Sequence, residues 1–313
     1  MMRAGFSARI RLLGVLLAGL LLGCEPAAPN APAASPDAPA AAQTAKKPVF
    51  AWRAQVGAST LHLLGSVHVA RSELYPLDPR IEAPFATSNV LVLELALDES
   101  AQMAAARRML ELGQLAPGKR LPDVVAPETW QLLLDSQARH GQNVFGLRGF
   151  RPWFVAITLT TRALEREGFS AEHGIDEHFR RAAEGTKRIE ALETVDGQLS
   201  LFASLSPRAE EQLLRQTLEE LDAYGGELDA AFRLWSSGDA DGIDRLLVAS
   251  MQTEYPDLFQ RLFTDRNRAM TARLLELAKV PGHYFVVVGA GHLVGSTGIL
   301  ALLADRGIVS QQL

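Results

Sequence analysis

Cysteine is nearly absent: Cys24 is the only one in 313 residues. No intramolecular disulfide can form and no zinc can be held by a thiolate cage, so the fold must rest on core packing. Basic charge is also in deficit, with 31 Lys and Arg against 36 Asp and Glu and a formal net charge of −5, which disfavours a nucleic-acid partner. Long apolar runs are lacking too. The longest near the start, Leu12 to Gly23, falls short of the roughly 20 residues that cross a bilayer. What is plentiful is core material: 48% of the chain is hydrophobic and 21% charged, enough for a globular body.

The N-terminus carries Arg3, Arg9 and Arg11, then that short apolar run, then Cys24, which is the layout of a bacterial export signal over residues 1–23. Leu21-Leu22-Gly23 before the cysteine resembles a lipobox, so Cys24 is expected to be acylated and to become the mature N-terminus, anchored stably if two or more chains are attached. Loss of residues 1–23 leaves 28 basic against 36 acidic residues. Residues 24–46 are almost wholly Ala, Pro and small polar residues, a composition that buries no core and acts as an extended tether. The expected location is the cell envelope, lipid-anchored and facing the periplasm, with Glu25 rather than Asp after the cysteine favouring the outer membrane. No Pro/Gly/Ser-rich linker divides residues 47–313, which are read as one domain.

Within that body, one pattern occurs twice. Thr60 to Leu64 reads as a strand, Gly65-Ser66-Val67-His68 as a turn, Pro79 to Ser88 as a helix, and Asn89 to Leu95 as an apolar strand. Near the end, Tyr284 to Val288 is a strand, Gly289-Ala290-Gly291-His292 a turn, Ser296 to Arg306 a helix capped by Gly307, and Ile308 to Ser310 the start of a closing strand. The repetition predicts an α/β fold: a parallel or mixed sheet flanked by helices, pseudo-twofold, with both histidines on the rim beyond the strand carboxyl ends. Helices are expected over Ala101 to Leu112, Glu128 to Arg139, Pro152 to Glu167, Pro207 to Tyr224 and Leu258 to Ala278, with a short strand over Thr186 to Leu192.

A Gly-x-x-His match is a weak signal by itself, since 25 glycines and 7 histidines supply about half of one by chance. Two matches, each directly after an apolar strand, carry more weight. Glu94 interrupts an apolar strand covered on both faces and must lose water, so it needs a partner. Imidazole nitrogens and a carboxylate oxygen together suit Zn²⁺, Mn²⁺ or Co²⁺ and leave a position for water. His68, Glu94 and His292 are therefore the expected ligands of one divalent metal. His62, His140, His173, His178 and His283 lack the turn context and are read as structural or solvent-facing.

Taken in order, LLGSVHV, VLVLEL, GIDEHF at 174–179, RIEALETVDGQ at 188–198, DRNRAM around Asn267 and VVVGAGHLVGSTGILALLADRG resemble the TraB/GumN family, which includes the TIKI metalloproteases and is grouped with erythromycin-esterase-like and ChaN-like proteins. The likeness runs from about Phe50 to the C-terminus. It implies a mixed sheet flanked by helices, a site built from His68, Glu94 and His292, and divalent-metal peptidase activity on a peptide or protein substrate. Glu94 or Glu193 would shuttle protons, and Asp176, Glu193, Arg266 and Asn267, also at family-like positions, are candidates for a further ligand, a base or an orienting partner. The same resemblance leaves open non-catalytic capture of peptide or haem, as in pheromone-shutdown and ChaN-like relatives, or an accessory role in exopolysaccharide export.

Overall fold

The computed structural model describes residues 47–221 and 224–313. The expected export signal, Cys24 and the tether lie outside the described residues. Six strands form one sheet in the order β4-β3-β5-β2-β1-β6: β1 Ala51–Val56, β2 Ser59–Ser66, β3 Val90–Leu93, β4 Arg188–Ala191, β5 His283–Gly289 and β6 Ser310–Gln312. β4, β3, β5 and β2 run parallel, and β1 is antiparallel to both β2 and β6. The expected mixed sheet flanked by helices is therefore the one observed.

Burial explains which strands sit centrally. Leu61, Leu63 and Leu64 of β2, all of β3, and Tyr284 to Val288 of β5 are buried, as continuous apolar strands covered on both faces must be. Strand β1 reads differently: Ala51, Trp52 and Ala54 are buried while Arg53 and Gln55 face out, the alternation of a half-covered strand. That period-2 signal is legible in AWRAQV, yet β1 was not among the expected strands. It also bears on the expected pseudo-twofold relation, because β3 lies directly beside β5 whereas β6 pairs with β1 rather than with β2.

Helices α1 Pro79–Thr87, α2 Glu99–Gly113, α3 Pro127–Arg139, α4 Pro152–Arg166, α5 Ile175–Ala183, α6 Val195–Ala203, α7 Pro207–Glu220 and α8 Tyr224–Ser236 follow β2 to β4 and fill the middle of the chain. Proline stands at the first position of α1, α3, α4 and α7, where its missing N–H costs nothing. Phe85 of α1, Phe179 of α5 and Phe285 of β5 meet with centroids 4.8–5.4 Å apart, fastening two helices to the sheet. Met109, Trp153, Phe154, Ile157, Leu199 and Phe202 make a second cluster joining α2, α4 and α6.

The expected helix over Leu258 to Ala278 is interrupted. α9 Ala240–Ile243 passes through a π-helical turn, Asp244–Val248, into α10 Ala249–Glu254; then α11 Pro256–Phe259 passes through a second π turn, Gln260–Thr264, into α12 Asp265–Leu277. A π turn inserts one residue into helical spacing, so an uninterrupted 3.6-residue period cannot describe it. The expected helix to Tyr224 ends at Glu220, and that over Ser296 to Arg306 shortens to α14 Ile299–Ala304, after the one-turn α13 Ala290–Leu293. Among the described residues no helix is long and apolar enough to cross a membrane.

Candidate metal centre

Register brings distant residues to one rim. Ser66 of β2 pairs with Gly289 of β5, Leu93 of β3 with Val287 of β5, and Leu93 with Ala191 of β4. Four parallel strands thus end at one level, and the residues just past those ends are His68, His292, Glu94 and Glu193. The ladder continues beyond β4, with the Glu193 amide donating to the Glu94 carbonyl at 2.9 Å. This is the strand-end position at which α/β sheets place ligands.

Glu94 is the hub. It is only 6% exposed. Its Oε1 accepts the Gly289 amide at 2.7 Å and lies 3.9 Å from His68 Nε2 and 3.9 Å from His292 Nε2. Its Oε2 accepts from Arg266 at 2.7 Å and from Gln198 Nε2 at 3.3 Å. Arg266 also holds Glu193 through two nitrogens, at 2.9 and 2.6 Å, the bidentate geometry that a guanidinium offers a carboxylate.

Each imidazole is aimed by its other nitrogen. His68 Nδ1 is 2.9 Å from Asp176 Oδ2, while Ser66 donates to Asp176 Oδ1 at 3.0 Å. His292 Nδ1 is 2.6 Å from Asn267 Oδ1. The Asn267 amide nitrogen donates to the Thr297 carbonyl at 2.9 Å, which fixes its oxygen as the acceptor and hence the proton on His292 Nδ1. Both Nε2 atoms are left to face Glu94 Oε1, the arrangement in which an outer partner sets the tautomer of a ligating histidine. Asp176 stands in the first turn of α5, and Gly174 before that helix allows its close approach: a Cβ there would collide with the His68 carbonyl. Arg266 and Asn267 stand in the first turn of α12, directly after the second π turn.

The electrostatics divide the two histidines. Burial lowers His68, but the charge and hydrogen bond of Asp176, helped by Glu94, raise it to about 9. Burial, then Arg266, push His292 down to about 3. Burial would raise Glu94, yet His292, Arg266, His68 and the Gly289 amide draw it to about 2. Because His292 is itself held neutral, the depression of Glu94 is assigned to Arg266, the protonated His68 and the Gly289 N–H.

Among the described residues no group of three or more His, Cys, Asp or Glu side chains forms a ready-made metal site. The donor set nevertheless fits an ion. Separations of 3.9 Å lie within the roughly 4.2 Å that two metal bonds of about 2.1 Å can span. Glu94 and Glu193 face one guanidinium and Asp176 faces His68, so replacing the His68 proton by a divalent cation brings this set of three carboxylates and one arginine to neutrality. A Cβ on Gly289 would lie 3.2 Å from His68 Nε2, 3.3 Å from Glu94 Oε1 and 3.4 Å from His292 Cδ2, which marks a cradle between these groups.

A pH dependence follows. A histidine raised to about 9 carries a proton at pH 7 that a ligand must displace. Apparent Mn²⁺ affinity is expected to rise by up to about tenfold per pH unit from pH 6.5 and to level off above about 9; calorimetric titration across that range measures it. In chelator-treated protein the sign reverses. The stabilisation from a raised His68 is complete below its ordinary 6.5 and is lost as pH rises through about 9, so the melting temperature should fall over the same window.

The structure brings together every residue singled out for the site: His68, Glu94 and His292 converge, Asp176 and Asn267 orient the two imidazoles, and Arg266 bridges Glu94 to Glu193. Sequence reasoning missed three contributors, Ser66, Gln198 and the Gly289 cradle; the first and last lie inside the Gly-x-x-His units and Gln198 within RIEALETVDGQ, but no spacing rule assigns them a contact. Of the remaining histidines, His173 bonds Ser170 and His178 pairs with Glu82.

The chain is similar to the uncharacterized protein YbaP of Escherichia coli (strain K12), 25% identical over 256 residues that cover 79% of this chain and 89% of that protein. It is equally similar to the uncharacterized protein YbaP of Shigella flexneri, 25% identical over 251 residues covering 77% and 87%. No solved structure matches. Residues 50–312 match one family throughout, and the chain belongs to the TraB/PrgY/gumN family.

Proposed function

We propose that this site binds one divalent metal ion, Mn²⁺, Co²⁺ or Zn²⁺, through His68, Glu94 and His292 and hydrolyses amide bonds of a peptide or protein substrate. The single observation behind this reading is the convergence of two Nε2 atoms, each 3.9 Å from the same Glu94 oxygen, with each Nδ1 separately held. A bound ion would supply Lewis acidity and a water of lowered pKa. The remaining roles belong to the chain. Glu94 Oε1 and the two Nε2 atoms supply the ligands; Asp176 and Asn267 keep the rings in place. Glu193 Oε1, whose partner is Arg266 Nε at 2.9 Å, is the oxygen that receives a proton from the attacking water and returns it to the leaving amine. Side-chain exposure of 14% at His68, 25% at Asp176 and 12% at Glu193, against 1% at His292, supports an approach of substrate from the His68 side of the rim. The sequence of residues 1–46 supports a setting in the cell envelope, with Cys24 as the lipid anchor.

Metal analysis combined with peptide cleavage tests the reading on the parent, His68→Ala and His292→Ala. The parent should carry about one ion per chain, and each variant should lose at least about a hundredfold in affinity and turnover. Equal turnover in all three would end the hypothesis; peptide retained uncleaved by the parent would replace hydrolysis with capture.

A further inference from the structure

Gln198, on α6, is 2% exposed. Its Nε2 donates to Glu193 Oε2 at 2.7 Å and to Glu94 Oε2 at 3.3 Å, the same two oxygens that Arg266 Nη2 contacts at 2.6 and 2.7 Å. The two carboxylates are therefore clamped by two shared donors. Turning the amide over would set its oxygen against two carboxylates, so the orientation is fixed by electrostatics. The consequence is that Oε1 is buried with no hydrogen-bond partner. An orphaned buried acceptor works against stability, and such a group in a native fold calls for an explanation.

We propose that Gln198 is a positioning residue, kept for the aim it gives Glu94 rather than for the fold. With Oε2 held by both Gln198 and Arg266, the carboxylate cannot rotate, and Oε1 stays directed at the two imidazoles. Two donors on Oε2 also leave Oε1 as the Glu94 oxygen that would serve a bound ion. Nothing in Gln198 itself touches the reacting atoms. The inference rests on the metal reading for what Glu94 is aimed at, but the clamp is a property of this chain alone.

The test is Gln198→Met, which keeps length and volume while removing both the clamp and the orphaned oxygen. Two quantities are read on purified protein: the melting temperature after chelator treatment, and Mn²⁺ affinity by calorimetry. Loss of two hydrogen bonds to carboxylates and relief of the orphan offset each other, so the melting temperature should stay within about 3 °C of the parent. Mn²⁺ affinity should fall about 10- to 100-fold, as for other residues that orient a ligand. A larger drop in melting temperature would make Gln198 fold glue and overturn the proposal, as would parental affinity in the variant. If the parent binds no Mn²⁺, the metal reading fails, and a crystal structure of Gln198→Met decides the clamp: Glu94 turned away from the imidazoles sustains it, and Glu94 unmoved ends it.

Discussion

Arg266→Met is expected to destabilise the protein by about 3–5 kcal/mol at neutral pH, because it leaves two buried carboxylates without their shared cation. Arg266 donates to Glu94 and to both oxygens of Glu193, and its side chain is 13% exposed, so water cannot take its place. The methionine matches the aliphatic stem, which confines the loss to charge and hydrogen bonds. Thermal melting should fall by about 10 °C. The penalty should shrink on acidification: Glu94, held near 2 in the parent, loses the group that depresses it and takes up a proton at higher pH, which removes the uncompensated charge. Pairing the change with Glu193→Gln should recover part of the loss at pH 7. A melting temperature equal to the parent's would show that the three charges do not form the unit described.

The second large effect is on binding. Gly289→Ala is expected to lower Mn²⁺ affinity by at least about a hundredfold while leaving the fold intact. The backbone permits the change, since Gly289 sits at φ −49°, ψ 136°, a region open to any L-residue, and its amide continues to serve Glu94. Only the methyl is new. It would stand 3.2–3.4 Å from atoms of His68, Glu94 and His292, between the groups that must close on an ion. Calorimetric titration and a melting curve decide the matter together: parental affinity in the variant would place the ion elsewhere, and a collapse in melting temperature would make Gly289 a packing residue.

Legibility in the sequence followed the strength of local constraint. β2, β3 and β5 were readable because strands buried on both faces must be continuously apolar, and the starts of α4 and α7 because Pro152 and Pro207 agree with the amphipathic spacing that follows them. β1 was missed although AWRAQV alternates, since six residues with a charged and an amide side chain resemble a solvent-facing loop. The π turns were unreadable because their extra residue breaks the period by which a helix is recognised. At the site, His68, Glu94 and His292 announced themselves through residue type at a strand end. Asp176, Arg266 and Asn267 were named from family resemblance, and their partners came only from packing: nothing local in GIDEHF ties Asp176 to His68, which lies 108 residues away. Gln198 had no signal of its own, as an amide on a helix is ordinarily solvated and here it is buried against Glu94 and Glu193, which come from other segments of the chain.

The placement of β5 between β3 and β2 carries a consequence for how the protein comes into being. Until residues 283–289 arrive, the β1–β2 hairpin and the β3–β4 pair share no ladder. Two of the imidazole and carboxylate donors then wait on separate fragments, and the third, His292, has yet to be made. A growing chain therefore lacks the assembled His68–Glu94–His292 cluster, and a truncation anywhere before β5 removes the continuity of the sheet and that cluster in one stroke. Such dependence on closing a loop of more than two hundred residues is a recipe for slow, late completion of the sheet and of the cluster at its rim.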